Sequence, residues 1–445
     1  MKVAFYTLGC KVNQYETDLM KQQFIESGYD LVNFNDIADI YVINSCSVTN
    51  LSTRKTRQFL SKARSINLNA IIVLAGCYAQ EIKDEVDNKK VKLLNANLII
   101  GNEEKNDIVK IVEKYINENI INTKSNKIIN FKSAYKIADI LKVKNYMQKD
   151  ILKNDSKIRA DIKIEDGCNN FCSYCIIPYV RGPIRSRSID DIEKEAISLV
   201  KNGIKEIVLV GIEISSYGKD LNSGISLIDV IEKLNKINGL CRIRLGSLYP
   251  TYLTDEIIER LSKIEKLCHH FHLSVQSLDD SVLKAMNRRY SSEYIYELTE
   301  KMRKKILDVA FTCDIIVGFP GETDDQFNNT VNMAKKINFS HIHVFKYSKR
   351  KYTKAINMEN QVDGNIAIER SNILLKVSDE CRKIFLNKYI GKNMKVLIES
   401  YKNGCLYGYT SNYIKVKIVG DKSKCLSLQE IKLVSLEKDI MLGKL

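Results

Sequence analysis

The stretch Cys168-Asn-Asn-Phe-Cys172-Ser-Tyr-Cys175 places three thiols on one short loop, with the spacing C-x3-C-x2-C. Soft thiolate ligands select iron–sulfur clusters or zinc. Zinc normally has a fourth Cys or His ligand nearby, and the nearest histidines follow only about 95 residues later. Three thiolates would leave one iron of a cubane free of protein ligand. The pattern therefore favours an iron–sulfur cluster with an open coordination position over zinc or isolated structural thiols.

Six short apolar runs, the first just before Cys168, alternate with helical patterns along residues 160–388. The predicted strands are Ala160–Glu165, Glu206–Val210, Arg242–Gly246, Phe271–Val275, Cys313–Val317 and His341–Tyr347. Helical patterns lie between them, for example at Asp190–Asn202, Leu227–Ile237, Asp279–Met286 and Thr323–Ile337. Six βα units predict a partial (β/α)6 barrel.

Each predicted strand of this barrel ends in a polar or glycine-containing segment. These segments are Gly167-Cys168, Gly211-Ile-Glu213, Gly246-Ser247, Gln276-Ser277, Gly318-Phe-Pro-Gly321-Glu322 and Tyr347-Ser348. The carboxyl ends of barrel strands share one face, where active residues lie. The sequence therefore predicts a ligand pocket beside the three cysteines.

Residues 1–115 carry an earlier alternation of strand and helix signals, with helical patterns at Asn13–Ser27 and Ser52–Ser65. The predicted strands Val3–Thr7, Ile40–Asn44, Ala70–Ala75 and Asn97–Ile100 are short and continuously apolar, as in a buried parallel sheet. Cys10, Cys46 and Cys77 follow the first three of them. Because the ends of parallel strands share an edge, these thiols are predicted to form a second metal site.

Two more segments complete the predicted organisation of this α/β protein. Residues 116–159 form a basic, partly helical linker, since ten Lys or Arg and three Asp lie between Ile121 and Ala160. This linker either touches RNA or is a solvated spacer. Residues 389–445 contain strand-like runs at Met394–Ile398, Tyr413–Ile418 and Glu430–Val434, and eleven lysines against five acids lie from Lys388 to Leu445. A small basic β-barrel of the kind that binds nucleic acid is expected there.

The amino-acid composition indicates what class of protein this is and what kind of partner it binds. The 445 residues are 44% hydrophobic and 28% charged, with a formal net charge of +15. Such a basic balance favours a polyanionic partner, chiefly nucleic acid, with a biased residue composition as the alternative. The sequence contains no run of about 18 apolar residues, so no membrane-spanning helix is predicted. The first residues resemble a β-strand rather than a signal peptide. A cytoplasmic protein is expected, in which clustered cysteines bind metal rather than form disulfides.

The cysteine loop, followed by the predicted barrel, resembles the radical S-adenosylmethionine (SAM) superfamily. The resemblance implies that the open iron binds the amino and carboxylate groups of SAM. It also implies a SAM pocket formed after the second, fourth and fifth strands by Gly211, Glu213, Gln276, Gly318 and Gly321. Arg187, in the segment Arg181-Gly-Pro-Ile-Arg-Ser-Arg187, is a candidate partner for the SAM carboxylate. An RNA-facing role for this basic loop is the alternative.

The segments Leu-Gly-Cys10-Lys-Val-Asn13, Asn44-Ser-Cys46 and Ala75-Gly-Cys77 narrow the resemblance to the methylthiotransferases, over essentially the whole chain. Asn287-Arg-Arg-Tyr290, Val344-Phe-Lys-Tyr-Ser348 and Gly408-Tyr-Thr-Ser-Asn-Tyr413 also resemble that family, whose C-terminal domain is of the TRAM type. The first segment is most similar to the branch acting on N6-threonylcarbamoyladenosine of tRNA. Two positions depart from the family, which usually has glycine where this chain has Leu278 and Tyr352.

The resemblance implies two [4Fe–4S] clusters, held by Cys168, Cys172 and Cys175 and by Cys10, Cys46 and Cys77. It implies methylthiolation at carbon 2 of adenosine 37 in the tRNA anticodon arm, with a second SAM as methyl donor. It also implies an electron donor such as flavodoxin or ferredoxin, and leaves the sulfur donor open. The alternatives are action on isopentenyladenosine in tRNA, action on a ribosomal-protein aspartate, and a non-catalytic iron–sulfur RNA-binding sensor.

The remaining cysteines and histidines are predicted to be structural. Cys241, Cys268, Cys313, Cys381, Cys405 and Cys425 lack ligand spacing and are expected to be buried thiols. Strand alternation among the histidines at 269, 270 and 272 predicts an exposed His270, and His341 and His343 are expected to line the barrel. On physical grounds Asn287-Arg-Arg-Tyr290 is expected to be a solvated loop, and the family resemblance favours contact with RNA.

Overall fold

A computed structural model of the protein describes residues 1–88, 95–123, 126–129, 133–146 and 158–445. The first two domains are built on parallel strands. The N-terminal sheet has the order β2-β1-β3-β4-β5-β8. Its strands are β1 (Lys2–Thr7), β2 (Asp30–Val32), β3 (Ile40–Ser45), β4 (Ile71–Gly76), β5 (Leu98–Ile100) and β8 (Ala134–Lys136). The helices are α1 (Lys11–Glu26), α2 (Asn50–Ile66), α3 (Cys77–Glu81), α4 (Lys83–Asp87) and α5 (Ile108–Asn119). Apolar side chains cover both faces of the sheet, as expected for buried parallel strands.

Part of the segment predicted as a linker belongs to this sheet. Strand β8 pairs in parallel with β5, with Leu98 opposite Ala134. Before it, β6 (Ile120–Thr123) and β7 (Asn126–Ile129) form an antiparallel hairpin. In the described part of the predicted linker, the end of α5 and a 3-10 turn at Ile140–Lys142 are helical. Residues 124–125, 130–132 and 147–157 of the predicted linker lie outside the described residues.

The central domain is a partial barrel built from two parallel sheets, β9-β12-β13 and β14-β15-β16-β17. An isolated bridge between Ile243 and Leu267 connects them. The strands are β9 (Arg159–Lys163), β12 (Glu206–Val210), β13 (Arg242–Leu245), β14 (Ser247–Leu248), β15 (His270–Gln276), β16 (Ala310–Val317) and β17 (His341–Lys346). All six predicted strands are therefore confirmed. Strands β9 and β17 are the outer edges, so the barrel is open between them.

Helices cover the outside of the barrel, and polar side chains line its inside. The helices are α6 (Ile177–Arg181), α7 (Ile189–Lys201), α8 (Leu227–Asn235), α9 (Asp255–Ser262), α10 (Asp280–Ala285), α11 (Ser292–Lys305), α12 (Asp324–Ile337) and α13 (Gly364–Asn387). A two-stranded ribbon, β10 (Glu165–Asp166) with β11 (Arg185–Ser186), frames the cysteine loop. Strand alternation turns Ile207, Leu209 and Ile243 toward the helices, so Glu206 and Arg244 face inward.

The C-terminal domain is a closed five-stranded barrel with the order β18-β19-β20-β22-β21. Its strands are β18 (Asn393–Lys402), β19 (Cys405–Thr410), β20 (Lys415–Val419), β21 (Leu428–Glu437) and β22 (Ile440–Lys444). The sequence predicted β18, β20 and β21 and missed the other two, because Gly408 and Gly443 interrupt their patterns. Both glycines are required for packing, since a Cβ at Gly408 would lie 2.2 Å from the carbonyl oxygen of Leu397.

The C-terminal barrel closes the end of the central barrel at which its strands begin. Arg242 donates hydrogen bonds to the carbonyl oxygens of Tyr409 and Lys395, each at 2.7 Å. The ring of Tyr413 lies 4.4 Å from the guanidinium carbon of Arg244. Glu206, fully buried, accepts a hydrogen bond from Arg244 Nε at 2.7 Å and lies 2.9 Å from Arg159 Nε. Among the described helices, none combines the length and apolar composition needed to cross a membrane.

Replacing Glu206 with Ala is expected to destabilise both barrels. Burial alone would raise the pKa of Glu206, but the Arg244 and Arg159 guanidinium groups hold that pKa below its ordinary value. Removing one partner of a buried ion pair costs about 3–5 kcal/mol. The stabilisation is present above the ordinary carboxyl pKa and is lost as pH falls through the lowered pKa. Urea unfolding at pH 7 should show the loss, whereas Glu297→Ala, an exposed helix position, should not change the midpoint.

Candidate functional site

A cavity of about 250 Å³ lies at the end of the central barrel where its strands finish. Cys168, Cys172 and Cys175 all line it. Two hydrogen bonds fix their loop against the end of α10, since Ser173 N donates to the Met286 carbonyl at 3.1 Å and Ser173 Oγ to that of Ala285 at 2.8 Å. The three thiols therefore meet in a preformed loop, as the spacing predicted.

Glycine is required at the start of this loop. Gly167 has φ +85°, and a Cβ there would lie 2.0 Å from the carbonyl oxygen of Pro183. This close approach also allows Cys168 N to donate to the Gly182 carbonyl at 3.0 Å. The strand end and the segment after α6 are thereby held together around the cysteines.

Two thiols of this loop, those of Cys168 and Cys175, are poorly suited to ionise alone. Burial, followed by the charge of Cys172, raises the pKa of Cys175 to about 12. Burial likewise raises the pKa of Cys168. A coordinated metal removes the thiol proton outright, so a bound cation reverses this preference. These residues suit metal ligation better than nucleophilic catalysis, which needs a lowered thiol pKa.

Glu213 and Gln276 line the cavity, as predicted. Glu213 N donates to Glu165 Oε2 at 2.8 Å, and burial raises the pKa of both carboxyl groups. The same carboxylate leaves no space for a side chain at Gly211, because a Cβ there would lie 2.5 Å from Glu165 Oε2. Glu165 thus shapes the Gly211–Glu213 turn from below, a role that nothing in its sequence position indicated.

Gly318 and Gly321 do not line the cavity, although their neighbour Ile316 does. Gly318 has φ +72°, and a Cβ there would lie 2.7 Å from the Cβ of Ala367 on α13. Its N–H donates to Glu322 Oε2 at 2.7 Å, and Arg370 pairs with the same carboxylate oxygen at 2.7 Å. The packing of α13 against this turn is therefore sufficient to explain why glycine occupies position 318.

Arg187 lies away from the cavity and is 3% exposed. Its guanidinium pairs with Glu195, whose carboxylate also accepts a hydrogen bond from Tyr15 Oη at 3.1 Å. The predicted SAM-carboxylate partner is thus engaged in a contact between the central and N-terminal domains. Sequence reasoning gave no means of knowing that α1 would cover this side of the barrel.

Arg288 lines the cavity instead. Its Nη2 donates to Tyr174 Oη at 2.7 Å, and its guanidinium lies 5.1 Å from the Tyr249 ring centroid. Its Nε is buried and has no hydrogen-bond partner in the part of the chain that the structure describes. The expectation of a solvated loop fails for this residue, because two aromatic rings cover it. The family match at Asn287-Arg-Arg-Tyr290 was the only signal that could have singled it out.

Cys10, Cys46 and Cys77 follow the neighbouring strands β1, β3 and β4. A Cβ at Gly9, which has φ +103°, would lie 2.9 Å from Cys46 Sγ. Asn13 Nδ2 donates to the carbonyls of Leu8 and Ser45 at 2.7 and 2.9 Å, which joins the first two loops. Burial, then the charge of Cys77, raises the pKa of Cys46 to about 12. Cys10, Cys46 and Cys77 therefore lie at one edge of the sheet, and their metal site stays a prediction.

The second cysteine set adjoins the same cavity. Val48 and Thr49, which follow Cys46, line the cavity together with the cysteines of the barrel. Asn50 N donates to Ser348 Oγ at 3.2 Å, and Arg350 Nη2 donates to Asn50 Oδ1 at 2.7 Å. The end of β3 is therefore held against the segment after β17, and the two thiol sets lie on either side of one interdomain cleft.

The barrel interior below the cavity is polar. Asp314 lines the cavity, and His272 Nε2 lies 3.2 Å from its Oδ2. The exposed His343 completes a group whose side-chain nitrogen and oxygen atoms lie within 4.8 Å of one another. His270, predicted to be exposed, is 7% exposed, because the Tyr413 ring of the C-terminal barrel packs on it at 4.9 Å. His343 lines the barrel, as expected.

The two departures from family glycines have different consequences. Leu278 is buried in the core of the central domain, and its N–H lies 3.3 Å from Thr330 Oγ1. Tyr352 keeps a glycine-like φ of +64°. It donates a hydrogen bond through Oη to Asp84 Oδ2 of α4 at 2.7 Å. The side chain that replaces glycine thus adds a contact between domains at the cost of backbone strain.

Family models match two parts of the chain: "Radical SAM superfamily" over residues 162–334 and "Uncharacterized protein family UPF0004" over residues 2–101. The radical SAM methyltransferase TsrM from Kitasatospora setae has the same fold, with a TM-score of 0.56 and 14% identity over 80% of this chain and 75% of that one.

Full-length relatives are more informative. The chain is 37% identical to "Threonylcarbamoyladenosine tRNA methylthiotransferase MtaB" of Bacillus subtilis, over 97% of this chain and 93% of the relative. It is 36% identical to the protein of the same name from Aquifex aeolicus, over 95% and 98%. It is 34% identical to "tRNA-2-methylthio-N(6)-dimethylallyladenosine synthase" of a Thermoanaerobacter species, over 99% and 91%. With its two sets of three cysteines beside one cavity, this chain belongs to the radical SAM methylthiotransferase family.

Proposed function

We propose that this protein adds a methylthio group to carbon 2 of N6-threonylcarbamoyladenosine, at position 37 of tRNA. The observation that carries the proposal is the placement of two three-cysteine sets on either side of one cleft. Relatives named for this tRNA modification align over nearly the whole chain, which supports the choice of substrate.

The central domain would bind the SAM that radical SAM family membership implies. Cys168, Cys172 and Cys175 would hold a [4Fe–4S] cluster and leave one iron for SAM. When bound, the cluster and SAM supply a carbon-centred radical, which can react at a C–H bond that acid–base catalysis leaves intact. Glu213 would accept hydrogen bonds from the SAM amino group. Arg288, with its buried and unsatisfied Nε, is better placed than Arg187 for the SAM carboxylate.

Cys10, Cys46 and Cys77 would hold the second cluster. Two observations support the fit: three soft ligands follow neighbouring strands at one sheet edge, and a Cβ at Gly9 would lie 2.9 Å from Cys46 Sγ. Such a cluster would present the sulfur species for transfer, with the sulfur donor left open. Its location beside the residues after β3 that line the cavity would bring the sulfur near the base. A flavodoxin or ferredoxin would serve as the electron donor.

The polar barrel interior favours threonylcarbamoyladenosine over isopentenyladenosine. A threonylcarbamoyl group carries a hydroxyl, a urea and a carboxylate, whereas an isopentenyl group is wholly apolar. His272 and Asp314 pair with each other, and His343 beside them offers ring nitrogens to a polar substituent, whereas an isopentenyl group has no atom that hydrogen-bonds to them. A non-catalytic sensor would have no need for the preformed turn at Gly211–Glu213.

The cluster assignment predicts the iron content. After anaerobic reconstitution we expect about eight irons per chain, and about four after replacement of Cys168, Cys172 and Cys175 with Ala. Replacing Cys10, Cys46 and Cys77 should also leave about four irons and preserve SAM cleavage, while methylthio product disappears. Iron analysis and mass spectrometry of nucleosides provide the measurements. Product formation without the N-terminal thiols would refute their role.

Replacing His343 with Leu is expected to weaken recognition of the modified base. The affinity for an anticodon stem–loop carrying threonylcarbamoyladenosine should fall about tenfold, because a hydrogen-bonding group is lost. The affinity for the same stem–loop with unmodified adenosine should stay the same. His341→Leu removes the ring that packs on His343 at 4.5 Å but keeps the His343 nitrogens, and so serves as the matched control for packing of this pair. An equal loss with both RNAs would exclude His343 as a specificity residue.

Exposed lysines of the C-terminal barrel are expected to contact tRNA phosphates. Lys402, Lys422 and Lys432 are exposed, and none of them takes part in the contacts that the C-terminal barrel makes with Arg242 and Arg244. Replacing all three with Ala should reduce the slope of log affinity against log salt by about 0.7–0.9 for each phosphate that is no longer neutralised. Lys263, Lys301 and Lys305, on the outer helices of the central barrel, provide a charge-matched control. Equal effects of both triple variants would show nonspecific attraction only.

A further inference from the structure

Arg181 of the central domain reaches a cysteine of the N-terminal domain. It is the last residue of α6, which begins two residues after Cys175. Its side chain is 0% exposed, and its Nε donates a hydrogen bond to Cys77 Sγ at 3.2 Å. Helix α6 therefore adjoins the barrel cysteines at one end and an N-terminal cysteine at the other.

Contacts with both domains fix the orientation of this guanidinium. Its other nitrogens donate to Asn13 Oδ1 and to both oxygens of Glu16, and Nη1 lies 3.3 Å from Asp166 Oδ2. Asn13 and Glu16 are on α1, whereas Asp166 belongs to the barrel. With its partners on two domains, Arg181 has no room to turn its Nε away from the thiol.

The surrounding ion pairs leave the Cys77 side of the cleft rich in positive charge. Lys105 and Lys163 pair with Glu16 at 2.6 and 2.8 Å, and Arg185 lies 3.5 Å from Asp166. Four cations thus share two carboxylates in this buried network. Nonpolar contacts complete the interface, since Cys77 packs with Ile176 and Val180 around α6.

We propose that Arg181 is a positioning residue that tunes the N-terminal cluster, holding Cys77 against the barrel and raising the reduction potential of that cluster. The inference rests on the proposed function, which supplies the cluster. Hydrogen bonds to cluster sulfurs and nearby positive charge stabilise the reduced, more negative state. Because Arg181 belongs to the barrel, the redox properties of the N-terminal cluster depend on the docking of the two domains.

A purely structural role would have a different signature. An arginine that only joins the domains would change stability when replaced and leave the electronic properties of the cluster unaltered. The reduction potential and the Fe–S stretching frequencies report on the sulfur directly. The conservative change Arg181→Lys keeps a cation in the network but loses the guanidinium Nε that donates to Cys77. Arg181→Gln removes the charge as well.

The test uses the full-length reconstituted protein. A variant with Cys168, Cys172 and Cys175 replaced by Ala lacks the barrel cluster, so its remaining spectroscopic signals belong to the N-terminal cluster. In redox titrations followed by electron paramagnetic resonance, Arg181→Gln should shift the N-terminal cluster to more negative potential, and Arg181→Lys should shift it less. The potential of the barrel cluster should stay the same. Resonance Raman spectra should show altered Fe–S(Cys) stretching. Arg185→Lys changes a cation on the same Asp166 carboxylate without contacting a thiol, and should have no effect on either readout.

The possible failures are distinguishable. About four irons in the wild-type protein would refute the second cluster, and with it the proposed function. About eight irons in Arg181→Lys and Arg181→Gln, with wild-type potentials, would overturn the role of Arg181 alone. Loss of the N-terminal cluster from a folded Arg181→Lys protein would also overturn it, because Arg181 would then be required for assembly rather than for tuning.

Discussion

Parallel strands finish at one edge of a sheet, and both α/β domains of this protein carry their cysteines at that edge. In the N-terminal sheet, three loops after neighbouring strands bring Cys10, Cys46 and Cys77 together from distant points in the sequence. In the central barrel, one loop carries all three thiols, and the ends of β12, β15 and β16 add Glu213, Gln276 and Ile316. The two edges then face each other, so the chemistry depends on how the domains dock. The buried ion pairs of Glu16 with Lys163 and Arg181 cross between the domains and fix that docking.

A barrel with a polar interior needs closure at the end away from its ligand. Here the C-terminal barrel supplies it, with backbone carbonyls that accept hydrogen bonds from Arg242 and Arg244. Glu206 neutralises part of the charge, and Tyr413 covers His270. The C-terminal barrel is thus part of the structural base of the catalytic domain as well as a candidate RNA-binding unit. Its removal would uncover buried arginines, so it is not a separable tail.

The sequence predicted what depends on local pattern. The six barrel strands and the four N-terminal strands follow from apolar runs, and the position of strand ends places Cys10, Cys46 and Cys77 at one sheet edge. It missed what depends on contacts between domains. Arg187 and Arg288 lie in similarly basic segments, and only the packing of α1 against the barrel and the rings of Tyr174 and Tyr249 decide which of them faces the cavity. Strand β8 is three residues long and owes its existence to pairing with β5.

The positions of the outer domains constrain how a tRNA would lie on the protein. The C-terminal barrel adjoins the start of the strands, and the cavity lies at their end. Strand β15 has seven residues, so at a rise of about 3.3 Å per residue the two sites are on the order of 20 Å apart. Phosphate contacts on the C-terminal barrel would therefore position the anticodon arm without reaching the reacting base. Choice of the base would then rest with the polar side chains below the cavity. Binding strength and base selection are thus assigned to different domains, which explains why a protein with a basic C-terminal barrel also needs a polar barrel interior.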